Sequence, residues 1–213
     1  MSDPTSDNAL MTQVRNGDLG QLGVLFERYH RRLFAFFYRL TSRRDVSADL
    51  VQDVFERILK YRNSYTNNGA FSTWIFRIAR NRHADYYRRM KMEALDEDHD
   101  SQFPDRPDQN HPETASDISA ADDTAMTDDR LLLEQALNRL HPDKKQALIL
   151  SRFEGFLYRE IAEIMDCSEA AVKVRVFRGL NELKEIITQL ERESGRPDRQ
   201  NKSEQKTVGP GTN

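Results

Sequence analysis

The feature that most constrains this fold is a break in the middle of the chain. Before residue 96 and after residue 129 apolar residues recur at helical spacing, and between them the pattern stops. The intervening stretch holds one basic residue, Arg106, against 12 acids, a net of −11. Within it, EDHDSQFPDRPDQNHPETASD carries three prolines. Such a segment cannot bury enough apolar surface to offset the entropy of ordering it. The expected organisation is a helical module over 1–94, a flexible acidic linker over 95–129, a second helical module over 130–192 and a disordered tail over 193–213.

Both modules read as all-α. No run alternates apolar and polar residues, and no hairpin signal appears. In the first, Leu22, Leu25, Phe26, Tyr29, Leu33, Phe36, Phe37 and Leu40 share a helical stripe, with Asp18 as the expected cap. A second helix is expected over about 45–61, burying Leu50, Val51, Val54, Phe55 and Ile58. RNSYTNNGA reads as a loop, and a third helix follows over about 71–92. The apolar pattern resumes at Leu131, and Pro142 suits the first turn of the next helix.

Several function classes drop out early. With 38% hydrophobic and 31% charged residues, the chain suits small modules with a large wetted surface. No apolar run approaches the roughly 20 residues a membrane helix needs, so no stable membrane insertion is expected. No secretory signal is visible, and a lone Cys167 fits a reducing cytoplasm. Packing is the expected role of that thiol; a redox sensor is the rarer alternative. His30, His83, His99, His111 and His141 lack partners at metal-ligand spacing. There is no nucleophile–base–acid arrangement and no Gly-rich phosphate loop. Neither a catalytic residue nor a cofactor nor a metal is expected.

Charge then points to a partner. Residues 1–95 hold 16 Lys and Arg against 10 Asp and Glu, a net of +6. A basic module followed by an acidic strap suits a polyanion as partner of the first. The segment FLYREIAEIMDCSEAAVKVRVFRGL carries the clearest motif. Ile161, Ala162 and Ile164 bury a short helix, Asp-Cys-Ser turns the chain, and Ser168 caps the next helix. At 100° per residue Val172, Val176, Leu180 and Leu183 form its inner face. Ala170, Ala171, Val174, Arg178 and Asn181 face outward, flanked by Lys173 and Arg175. Small side chains let such a helix approach base edges, Arg reaches guanine or phosphate, and Glu169 can accept from a cytosine amino group. The alternative is a helical hairpin with a solvated basic face.

The third helix of the first module divides in the same way. Phe71, Trp74, Ile75, Ile78, Ala79 and Tyr86 share one side; Arg77, Arg80, Asn81, Tyr87, Arg88 and Lys91 share the other. Phe76 and Tyr87 are aromatics on or near the basic side. Cations that follow phosphates beside rings that stack bases are what unpaired nucleic acid needs. Equally, the two rings can simply cover a neighbouring element. The second helix instead exposes Asp45, Asp49, Gln52, Asp53 and Glu56, which suits protein docking or plain solvation.

These residues resemble the sigma-70 family, specifically its small extracytoplasmic-function group. DLVQDVFERILK resembles the family's core-polymerase-binding helix, FSTWIFRIARN with Asp85 and Arg88 resembles the segment that melts and reads the −10 element, and LNRLHPDKKQALILSRFEGFLYREIAEIMDCSEAAVKVRVFRGLNELK resembles the −35 reader. The resemblance covers about residues 10–93 and 130–190. It implies a non-catalytic subunit that brings core RNA polymerase to promoters and helps open them. Asp49, Leu50, Gln52, Asp53 and Phe55 would dock on the clamp helices of the largest subunit, and the flap of the second-largest subunit would be a further partner. Asn63, Ser64, Thr66, Asn67 and Asn68 would supply the reader of a flipped base. Arg77, Arg80, Asn81, Tyr87 and Arg88 would lie near the −10 strand, and Glu169, Ala170, Lys173, Arg175 and Arg178 at the −35 element.

The resemblance also implies an anti-sigma partner, able to hold the chain at the inner face of the membrane. The family often has Ser at Val174, His at Phe177 and Ala at Gly179, so the resemblance implies −35 binding here without the family's sequence preference. The linker would thread the polymerase cleft as a polyanion mimic, fold back on the basic helix, or serve as a tether. A stand-alone helix-turn-helix regulator and a helical adaptor that binds no DNA are the alternatives. The first leaves the DLVQDVF helix and the Trp74 segment without a role, and strong salt dependence of promoter binding would exclude the second, because phosphate contacts release counterions.

Overall fold

The computed structural model describes residues 6–96 and 124–194, and all regular structure within them is helical. Residues 97–123, most of the expected linker, and the tail beyond residue 194 lie outside the described residues. The N-terminal module contains α1 (Asp7–Arg15), α2 (Gly20–Thr41), α3 (Arg44–Tyr61) and α4 (Phe71–Asp96). The C-terminal module contains α5 (Thr124–Arg139), α6 (Pro142–Leu148), a π-helical stretch (Ile149–Phe153), α7 (Tyr158–Met165) and α8 (Glu169–Glu193). No described helix is long and apolar enough to cross a membrane.

In the first module α2 packs on α1 and α3, and α3 packs on α4. Leu25, Leu33, Phe36, Phe37, Val54, Ile58, Ile75 and Ala79 are fully enclosed. This is the expected stripe, apart from Phe26, which is 36% exposed and stacks on His30. α1 has no counterpart in the expected organisation. Ser6 caps it by accepting from Ala9 N at 3.3 Å, and Leu10, Met11 and Val14 bury its inner face. Asp18 does not cap α2: the N-cap position is Leu19, and the Asp18 carboxylate accepts from the Gln21 side chain instead.

The second module follows the expected turn chemistry closely. Pro142 opens α6, Asp166 takes the left-handed conformation that ends α7, and Ser168 caps α8 by accepting from Ala171 N at 3.2 Å. Val172 and Val176 are buried, while Leu180 and Leu183 pack against the core at its edge. Gly179 allows the close approach of α8 to α6, since a Cβ there would meet Leu148 at 3.1 Å and Lys144 at 3.3 Å. α5 begins at Thr124, earlier than Leu131, where the apolar pattern resumes.

Candidate nucleic-acid interface

The loop between α3 and α4 is built from the inside. Tyr65, 3% exposed, plugs the module between Phe71 and Trp74, with ring centroids 6.2 and 5.0 Å away. Burial pushes its phenol up to about 12, so it stays a neutral donor, directed at Asn67 Oδ1 at 3.4 Å. α1 braces the loop from below. The Asn8 amide donates to Gly69 O at 2.8 Å and accepts from Phe71 N at 2.8 Å, and Arg15 donates to Tyr65 O at 2.9 Å. With Tyr65 inside, Asn63, Ser64, Thr66, Asn67 and Asn68 all face solvent. Asn67 holds φ +57°, a left-handed conformation that Asn tolerates better than most residues.

α4 continues from this loop with the expected division. Phe71, Ile75 and Ala79 are buried, and Trp74, Ile78 and Tyr86 pack at the core's edge. Arg77, Asn81, Tyr87 and Arg88 are exposed, and Arg80 is half-buried. Asp85 bonds Arg88 at 2.7 Å and Arg82 at 3.4 Å; Arg82 also reaches Asp53 on α3 at 2.7 Å. The two aromatics part company. Tyr87 is 54% exposed, whereas Phe76 is fully buried between Phe36 and Phe156, with centroids 5.3 and 5.0 Å away. Phe76 therefore covers a neighbouring element, and Tyr87 is the ring left exposed.

On α3, Asp49, Gln52 and Glu56 are exposed and Asp53 is half-buried in its ion pair. Leu50 and Phe55, which the resemblance would place on this docking face, are 3% and 7% exposed in the core, where the helical pattern puts them. Their apolar side chains point inward at helical spacing and hold up the face rather than forming it.

On α8 the outward face carries Ala170, Lys173, Val174, Arg178 and Asn181, all exposed. Glu169 sits in the first turn and pairs with Lys173 at 3.2 Å. Arg175 is different: it is half-buried, donating to Cys167 Sγ at 3.1 Å and pairing with Asp143 at 3.3 Å. Phe177 lies on the outward face between Lys173 and Val174 and is 66% exposed. No group of His, Cys, Asp and Glu among the described residues is placed to hold a metal.

Two family models match this chain, Sigma-70 region 2 over residues 25–92 and Sigma-70, region 4, over residues 130–183. RNA polymerase sigma factor CarQ of Myxococcus xanthus is 31% identical over 186 residues, covering 87% of this chain and all of the relative. The chain belongs to the sigma-70 family. A second relative, the ECF RNA polymerase sigma-E factor of Haemophilus influenzae, is 28% identical over 89% of this chain and its own full length. Among solved structures, the sigma factor RpoE in complex with the anti-sigma factor NepR from Bartonella quintana is similar with a TM-score of 0.60 at 27% identity, covering 78% of this chain and 95% of that one. CnrH in complex with the cytosolic domain of CnrY shares the fold, with a TM-score of 0.63 at 20% identity over 85% of this chain and 96% of that one. With these relatives the chain is a member of the extracytoplasmic-function group.

For this sigma-70 family member, sequence reasoning missed Asn8, Arg15, Tyr65 and Phe177. A cap-like Ser6 followed by Leu10, Met11 and Val14 was the available signal for α1. Nothing local marks Asn8 as the residue that pins a loop more than 60 positions away.

Proposed function

We propose that the two modules divide promoter recognition between unpaired and paired DNA. The chain is a promoter-directing sigma factor, and the stand-alone regulator is not favoured. The observation that carries the finer reading is the loop at 62–70. It exposes five amide and hydroxyl side chains from a backbone fixed by Tyr65, Asn8 and Arg15. A rigid rim of such groups suits reading the edge of a base taken out of its stack. Arg77, Arg80, Asn81 and Arg88, with Tyr87 as a stacking ring, then follow the strand along α4. Capture of an unstacked base offsets an unpairing cost of a few kcal/mol and so favours opening.

The outward face of α8 enters the major groove at the −35 element. Ala170 permits close approach, and Lys173 and Arg178 reach phosphate or guanine. Val174 and Phe177 offer apolar contact to a thymine methyl, and Arg175 serves as a strut fixing the helix to α6. Asp49, Gln52 and Glu56 dock on the clamp helices of the largest polymerase subunit, and the second module meets the flap. The polymerase performs the phosphoryl transfer, so the chain needs no catalytic residue or cofactor. An anti-sigma protein is the proposed regulator, supported by the complex of the similar sigma factor RpoE with the anti-sigma factor NepR.

The test is run-off transcription with core polymerase. The chain is expected to confer initiation at its own promoters, and Asn67→Ala with Asn68→Ala to reduce opening about tenfold while core binding holds. Failure to initiate at any promoter sinks the reading.

A further inference from the structure

The arc that exposes Thr66, Asn67 and Asn68 is held from outside itself. Among the described residues, no backbone–backbone hydrogen bond is made by residues 66–69. The arc is pinned instead by two side chains of α1. At its entry Arg15 donates to Tyr65 O at 2.9 Å. At its exit Asn8 donates to Gly69 O and accepts from Phe71 N, both at 2.8 Å. Between the two anchored carbonyls lie Thr66, Asn67 and Asn68, all exposed.

Asn8 and Arg15 stand at i and i+7 on α1, so they share one face of the helix with a rise of about 10.5 Å between them. Four residues of chain reach at most about 14 Å. α1 thus spans the base of the arc and limits how far its ends can move. The exit anchor does a second job. Phe71 N opens α4, where the first N–H groups have no partner within the helix, and Ala70 before it has no side-chain acceptor. Asn8 Oδ1 supplies that acceptor from a different helix. Both polar atoms of the Asn8 amide are therefore engaged, one on each side of Ala70.

α1 is itself fixed to the module. The Asp7 carboxylate accepts from Tyr29 Oη and pairs with Arg28, both at 2.6 Å, and the Tyr29 ring meets Phe71 edge to face at 5.2 Å. Burial and the Asp7 carboxylate push the Tyr29 phenol up, so it stays a neutral donor. Leu10, Met11 and Val14 are buried beneath. Asn63 and Ser64, by contrast, precede the entry anchor. They belong to the short turn that ends α3, where Ser64 Oγ donates to Tyr61 O at 2.7 Å.

Hydrogen-bonding groups discriminate between similar ligands when they are held to within about 0.5 Å of the matching geometry. An arc without backbone bonds of its own has that precision through its anchors. We propose that α1 is a specificity element of the −10 reader: Asn8 and Arg15 are positioning residues that hold Thr66, Asn67 and Asn68 in the one geometry that tells bases apart. The specificity role rests on the base reading given above; the holding of the arc does not.

The arc is tested first, by backbone nuclear magnetic relaxation on the full free chain. Order parameters at Thr66, Asn67 and Asn68 are expected near the rigid value of about 0.85, and below about 0.6 in Asn8→Ala with Arg15→Ala. Unchanged values in that variant overturn the positioning role. Base preference is then read with assembled polymerase, as the ratio of opening rates on promoters carrying each of the four bases at each −10 position. The same double variant should cut the preference at one position at least fivefold, with core affinity and −35 preference within twofold of the parent. Asn8→Asp, which keeps the acceptor for Phe71 N and loses the donor to Gly69 O, should give an intermediate ratio, and Arg15→Lys, which keeps a donor, should retain the preference. Val54→Ala, a core change on α3 two turns before the loop, should lower the melting temperature and leave the ratio unchanged. Asn8→Ala added to Asn67→Ala with Asn68→Ala should cost no further selectivity, because α1 acts through those side chains. If the loop variants change the preference and the α1 variants do not, the specificity role is overturned. If neither set changes it, the loop reading has failed and the specificity role with it, while the relaxation result stands.

Discussion

Tyr65 shows how a single side chain can organise a site without belonging to it. Its ring is enclosed by Phe71 and Trp74 while its neighbours on both sides are exposed. Replacing a buried aromatic by Ala typically costs about 3 kcal/mol or more. Tyr65→Ala should therefore lower unfolding stability by about that much in a denaturant titration and abolish promoter opening. At Phe177 the expected outcome is chemical rather than structural. Its exposed ring adds little to stability, so Phe177→Ala should leave the melting transition unchanged. It should also erase any preference for thymine over uracil in the upstream element, measured by duplex competition. His83 supplies a pH signature. Burial, with help from the Lys145 charge, pushes its imidazole down to about 4 from an ordinary 6.5. Between those values the unfolded chain binds more protons than the folded one, so stability is full above pH 6.5 and falls as pH drops towards 4. Denaturation midpoints across that window should show the slope, and His83→Gln should flatten it.

At the scale of elements, α8 and α4 were legible because each has one face that must be buried and one that cannot be. Val172 and Val176 inward, with Ala170 and Arg178 outward, need only the 3.6-residue period and Ser168 as a cap. What escaped was long-range. α1 is nine residues, too short to hold as a helix alone, and is ordered by Leu10, Met11 and Val14 against the rest of the module. Leu50 and Phe55 are buried, as the helical period of α3 implies, while the resemblance alone would put them on a docking face. Gly179 allows a prediction on helix packing. Alanine there gains about 1 kcal/mol of helix propensity but presses on Leu148 and Lys144. Gly179→Ala should thus change stability by less than about 1 kcal/mol, while Gly179→Val, with two further methyl groups in that space, should cost more than about 2 kcal/mol by the same titration.

For the whole molecule, the division into two helical modules was written in composition, but their mutual packing was not. Arg32 and Glu154 lie 122 positions apart, and nothing around either marks the other as its partner. Phe76 looked like a misplaced ring on a basic face because the element that covers it belongs to the other module. In the proposed function, one chain brings polymerase to promoters through two DNA-reading faces. Sequencing RNA 5′ ends made by core polymerase on genomic DNA, with and without the chain, tests it most directly. Chain-dependent starts should share two upstream motifs at a fixed spacing, the distal one changing its sequence preference with Arg178→Ala and the proximal one with Asn67→Ala and Asn68→Ala. Starts that appear equally without the chain, or that share no upstream motif, would contradict it.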